Sequence, residues 1–159
     1  MDASTIRKDR MKYSKNKLSS GFALLSILFN VFYFVSIYKS DVGNFYYSIL
    51  IGASVIYNLL FMLFTFLCSE GVKKYSLGYS IILVVIGVLQ IGRIFYLPAK
   101  AHSTVITVGG VDKVIMEDGQ YARVIFFLLV SAAFALMGGV IGIIKNRTLT
   151  AYTKSSATN

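Results

Sequence analysis

Three carboxamides and one guanidinium, those of Asn30, Asn58, Gln90 and Arg93, stand inside stretches that are otherwise almost wholly apolar. A carboxamide carries both donors and an acceptor, and a guanidinium carries five N–H donors and a fixed charge. In hydrocarbon neither finds water, so such groups must meet one another or a ligand. Ser26 falls one helical turn before Asn30, Ser54 one turn before Asn58, and Gly87 and Arg93 flank Gln90 at three-residue steps. Helical spacing turns these into narrow polar stripes at similar depth. Two uses fit them. They are hydrogen-bonded glue between helices, or a polar binding site or solute path through a bundle. Arg93 lies about one turn from the end of its stretch, so its long side chain is expected to reach back to lipid headgroups. The alternative is pairing with Asp41, Asp112, Glu117, Asp118 or an acidic group on a partner.

The elements that must position these residues are the stretches 18–38, 45–67, 77–97 and 122–144, each 21 to 23 residues long and free of Asp and Glu. A helix rises about 1.5 Å per residue, so each stretch can cross a hydrocarbon core roughly 30 Å thick. Lipid offers the backbone no hydrogen-bond partners, which requires helices. The expected fold is an all-α membrane protein, a four-helix antiparallel transmembrane bundle. The first span is long for the apolar core of a signal peptide and reads as a retained anchor.

The connections are unequal. Lys39–Asn44 and Cys68–Ser76 are short turns, which makes consecutive spans neighbours. Residues 98–121 form the one longer connection. There the β-branched run from His102 to Val108, the Gly109-Gly110 pair and the run Lys113–Met116 predict a small extracytoplasmic β-hairpin between the third and fourth spans. Aromatic residues crowd the same side: Phe32, Tyr33, Phe34, Tyr38, Phe45, Tyr46, Tyr47, Phe95, Tyr96 and Tyr121. Rings of this kind suit the headgroup layer, so an interfacial belt is expected.

Charge sets the orientation. Residues 1–17 form a basic arm with Arg7, Lys8, Arg10, Lys12, Lys15 and Lys17; Lys73, Lys74, Lys145, Arg147 and Lys154 lie on the same side. The opposite side balances four bases with four acids. Basic residues near span ends stay in the cytoplasm, so both termini should lie there, in a cell membrane. The arm also fits anionic lipid headgroups. Nucleic acid is excluded as a partner, because no base-stacking module accompanies the charge. The tail 145–159 reads as a cytoplasmic segment, and its Ser/Thr-rich end Thr148–Asn159 as flexible chain.

The fourth span carries small residues on one side: Ser131, Ala135 and Gly139 recur every four residues, and Gly138 with Gly142 forms a GxxxG. Small side chains let two backbones approach closely. The partner is either a neighbouring span, the first or the third, or another protein.

Lone Cys68 excludes an internal disulfide, lone His102 reads as a solvated loop residue that makes no metal site, and no span holds a carboxylate pair for acid–base work. No cofactor and no enzymatic activity are expected. The leading reading is a non-catalytic integral membrane subunit that assembles with other membrane proteins through the fourth span and the outer loop. A small homo-oligomeric channel or transporter, with its polar path through Asn30, Asn58, Gln90 and Arg93, is the alternative.

Overall fold

A computed structural model describes residues 3–38 and 48–158. The turn expected at Lys39–Asn44, with Asp41, and the aromatics Phe45, Tyr46 and Tyr47 lie outside the described residues. In chain order the elements are α1 (Ala3–Tyr13), α2 (Lys17–Ile37), α3 (Ser48–Lys73), α4 (Leu77–Ile94), α5 (Leu97–Ser103), β1 (Val105–Val108), β2 (Val111–Val114) and α6 (Asp118–Thr158). Among the described residues four helices are long and apolar enough to cross a membrane: α2, α3, α4 and α6.

Local chemistry explains where these helices begin and end. Asn16 caps α2, its side-chain oxygen accepting from the Ser19 N–H, while the Asn16 N–H donates to the Lys73 carbonyl at the end of α3. The end of α3 is a double-bonded C-cap. The Ser76 N–H reaches the Gly71 carbonyl, and the Tyr75 N–H reaches that of Val72. Tyr75 occupies the left-handed position at φ 56°, where glycine is usual, and its carbonyl accepts from the Asn146 side chain on α6. Pro98 sits in the first turn of α5, where its missing N–H leaves no bond unmade.

Beyond α5, β1 and β2 pair antiparallel with Val105 opposite Val114 and Val108 opposite Val111. Gly109 and Gly110 join them at φ 63° and 81°, a two-residue turn that side chains with a Cβ resist. This connection docks onto the helices. His102 is not a solvated loop residue: it stacks on Tyr121 with ring centroids 4.2 Å apart, and its Nδ1 lies 3.3 Å from the Met116 carbonyl oxygen. Ile115 and Met116 are buried beside Tyr33, Ile37, Leu97, Val124 and Leu128.

The tail departs from expectation too. Residues 148–158 are not a flexible chain but continue α6, which runs 41 residues from Asp118. α1 packs against this extension, and the Lys12 ammonium lies 5.0 Å from the Tyr152 ring centre.

The long helices pack in pairs: α6 lies against α2 and α4, and α3 also lies against α2 and α4. The small residues of α6 account for its close approach. Ser131 and Ala135 are fully buried. A Cβ added at Gly138 would stand 3.0 Å from the Ser19 carbonyl oxygen; one at Gly139 would stand 2.9 Å from the Ser80 carbonyl oxygen and the Val84 nitrogen. At Gly142 it would collide with the Ser80 hydroxyl, and the Ser19 hydroxyl donates to the Gly138 carbonyl. The small face is thus taken up within the chain, by the first and third spans together, and is not left for another protein.

Gly139→Ala should therefore destabilise by about 1–3 kcal/mol, because backbone atoms on α4 cannot yield to the new methyl. Gly21→Ala, with nothing within 4 Å of the added Cβ, should leave stability unchanged or raise it. Unfolding of both variants in mixed micelles checks the pair.

Candidate functional site

A polar layer lies between two apolar clusters. On one side are Ala23, Phe61, Leu83, Ile86 and Ala135; on the other are Tyr33, Ile37, Ile94, Val124 and Leu128. Between them along the same helices come Ser26 and Asn30 on α2, Asn58 on α3, Gln90 and Arg93 on α4, and Ser131 on α6. Ser26, Asn30, Asn58, Gln90 and Ser131 are all fully buried. Desolvated amides lose water worth several hydrogen bonds, so each must find protein partners.

Most of those partners come from other helices. Gln90 Nε2 donates to Asn30 Oδ1 at 3.0 Å and to Ser131 Oγ at 3.2 Å. Ser131 Oγ in turn donates to the Ser26 carbonyl at 2.8 Å. Asn58 Nδ2 stays on its own helix, donating to the Ser54 carbonyl at 3.0 Å, and the Ser54 hydroxyl accepts at 2.8 Å from Tyr38, the residue that follows α2.

Arg93 completes the layer. Nη1 donates to Gln90 Oε1 at 2.8 Å and to Asn30 Oδ1 at 3.2 Å; Nη2 donates to Asn58 Oδ1 at 2.7 Å. The guanidinium carbon lies 4.6 Å from the Tyr33 ring centre and 4.8 Å from that of Tyr57. Two aromatic faces and three amide oxygens thus replace the water a cation would hold, each ring contributing about 0.5–2 kcal/mol. The hydrogen-bond pattern also fixes the Asn30 amide. Its oxygen serves two donors, and the flipped amide would set N–H against N–H.

The expected reach of Arg93 towards the end of its helix does not hold: its side chain turns back to Gln90. No carboxylate pairs with it among the described residues, and Asp41, one of the expected partners, lies outside them. The physical reason is helical: side chains lean towards the N-terminus of their helix, which carries this guanidinium back towards Gln90. Tyr33, assigned to the interfacial belt, is fully buried against Arg93, whereas Phe95 and Tyr96 are 77% and 67% exposed.

Thus Asn30, Asn58, Gln90 and Arg93, drawn from three helices, meet at one place. Tyr33, Tyr57 and Ser131 belong to the same site but were not recognisable as its members. The available signal was spacing: Tyr33 stands three residues after Asn30, on the same helical face. The packing residues Ser131, Ala135, Gly138, Gly139 and Gly142 line the α6 contacts described above. Of the basic arm, Lys8, Arg10, Lys12, Lys15 and Lys17 are exposed, far in sequence from this layer; the side chain of Arg7 lies outside the described residues.

Comparison with protein-family models, with curated proteins and with solved structures finds no match to this chain. Function must therefore be argued from the site itself.

Asn30→Leu removes the acceptor shared by Gln90 and Arg93 and should cost about 1–3 kcal/mol, from two interhelical bonds and a guanidinium left short of one partner. Combined with Arg93→Gln, the losses should fall short of additivity by about 0.5 kcal/mol or more, as for groups in one network. Reversible unfolding in bicelles, run as a double-mutant cycle, measures this; strict additivity would separate the two residues.

Proposed function

We propose that this chain is a non-catalytic subunit of a larger membrane assembly, its four spans forming an antiparallel transmembrane bundle in the cell membrane. Both termini lie in the cytoplasm, and the strand pair β1–β2 stands as a hairpin on the outer side. One observation carries the subunit reading: most hydrogen bonds of the deep carboxamides and Ser131 tie helices to one another, so the polar layer works as a fastening. The distribution of bases supports the orientation.

Because the small face of α6 is occupied internally, partner helices meet this subunit elsewhere. α3 offers a broad apolar surface, with Ile56, Leu59, Leu60, Leu63, Phe64 and Leu67 all exposed. The strand β2 is exposed along its length and leaves an edge to which an extended segment of a partner can add. On the cytoplasmic side the exposed bases of α1, beside the extension of α6, contact anionic headgroups at about 1 kcal/mol per base.

The second reading, a small homo-oligomeric channel or transporter, draws on Arg93. A charge held deep in a membrane protein commonly marks a solute route.

Gentle detergent extraction followed by mass measurement tests the choice. Co-purification with different chains in fixed stoichiometry is the expected result. A pure homo-oligomer that conducts solute in liposomes would replace the subunit reading with the transporter. Orientation is checked separately by placing single cysteines at Ser14 and Ser155 in a Cys68→Ser background. Both should resist an impermeant thiol reagent in intact cells and react once the membrane is opened.

A further inference from the structure

Donors and acceptors do not balance in the polar layer. Every carboxamide oxygen around Arg93 is engaged: Asn30 Oδ1 by two donors, Gln90 Oε1 and Asn58 Oδ1 by one each. Both Nε2 protons of Gln90 and one Nδ2 proton of Asn58 are also engaged. What remains is chiefly donors. Arg93 commits three of its five N–H groups, and Asn30 Nδ2 is buried with no partner among the described residues. That nitrogen belongs to the same amide whose oxygen Arg93 holds. The formal charge is likewise unbalanced, because the amides and the Tyr33 and Tyr57 rings are neutral and no carboxylate joins them among the described residues. Arg93 remains partly accessible, and so does Tyr57.

A cluster with spare N–H groups, a whole positive charge and no negative group among the described residues is complementary to a group that accepts and is negative. We propose that Arg93, cradled by Asn30, Asn58 and Gln90 between the rings of Tyr33 and Tyr57, binds a phosphate oxyanion. Two sources present that chemistry, the headgroup of an anionic phospholipid and dissolved inorganic phosphate. The unused guanidinium N–H groups supply charge-assisted hydrogen bonds, and the Asn30 amide supplies a neutral one. The guanidinium carbon stands over both tyrosine rings, at 4.6 and 4.8 Å from their centres, which leaves its unused N–H groups for an anion. The site is separate from the basic arm, which lies on the cytoplasmic side in the orientation proposed above. It requires only that the four helices fold together, and stands whether or not other chains are bound.

The test uses the full chain in a neutral maltoside detergent. Native mass spectrometry follows retained phosphatidylglycerol, and a thermal-shift titration follows inorganic phosphate. The controls are Arg93→Gln, Arg93→Lys and a variant with Lys8, Arg10, Lys12 and Lys15 all changed to Gln. The expected result is one tightly held phosphatidylglycerol that survives in the arm variant, weakens at least tenfold in Arg93→Gln and weakens less in Arg93→Lys. A phosphate-dependent shift of equal sensitivity to Arg93 would assign the site to the dissolved anion. Equal retention and equal shifts in the unaltered chain and Arg93→Gln would overturn the proposal, as would retention lost only in the arm variant. Should Arg93→Gln not fold, Arg93→Lys carries the comparison, since it keeps the charge and loses the planar fork. None of these readouts depends on membrane orientation or on partner chains, so the proposal and the subunit reading can fail independently.

Discussion

A positive charge among apolar helices must be solvated by protein, because hydrocarbon offers it nothing. That constraint organises the middle of this molecule. An Arg inside a membrane span is costly, and here three amide oxygens and two aromatic faces offset the loss. The oxygens come from α2, α3 and from α4 itself, so satisfying the charge fixes how those three helices sit. Ser131 then links Gln90 to Ser26 and brings in α6. Four long helices are keyed to one another by a single layer only a few residues deep.

Close packing completes what the polar layer begins. Lipid chains are as apolar as the helices they surround, so burial of leucines gives little reason for one helix to prefer another over lipid. Shape and hydrogen bonds must do it. Gly138, Gly139 and Gly142 let α6 approach the backbones of α2 and α4, and the Ser19 hydroxyl uses that closeness to reach the Gly138 carbonyl. At the end of the helices nearest α1, Lys145 on α6 donates to the Asn16 side chain at 2.9 Å, while Asn16 also holds the end of α3. The outward-facing leucines, isoleucines and valines of α2, α3 and α4 are then free to face lipid or a partner.

Some of this was legible residue by residue. The matched depths of Asn30, Asn58 and Gln90 follow from helical rise and from the refusal of lipid to solvate amides, and the Gly109-Gly110 turn follows from φ preferences. The placement of Arg93 was not legible. Reach towards the headgroups is a property of the side chain alone, whereas its actual direction depends on the lean of side chains along α4 and on acceptors from two other helices. Tyr33 was misassigned for a related reason. Its composition-level role as an interfacial aromatic is overridden by a neighbour 60 residues away in the chain. Thr148–Thr158 looked like a polar tail because its residues bury little. Helix continues through it because nothing there breaks the hydrogen-bond ladder, and α1 supports it.

By itself the sequence determined how many spans there are, roughly where each lies, and that their few polar groups must turn inward. Those properties add up along the chain, one residue's transfer free energy after another, and need no knowledge of neighbours. Only the tertiary structure decided which groups meet: that the carboxamides of three helices hold Arg93, and that the glycines of α6 serve α2 and α4. Such choices depend on the rotation and offset of whole helices, and rotating one helix by a single residue, about 100°, would change every partner while leaving each span equally apolar.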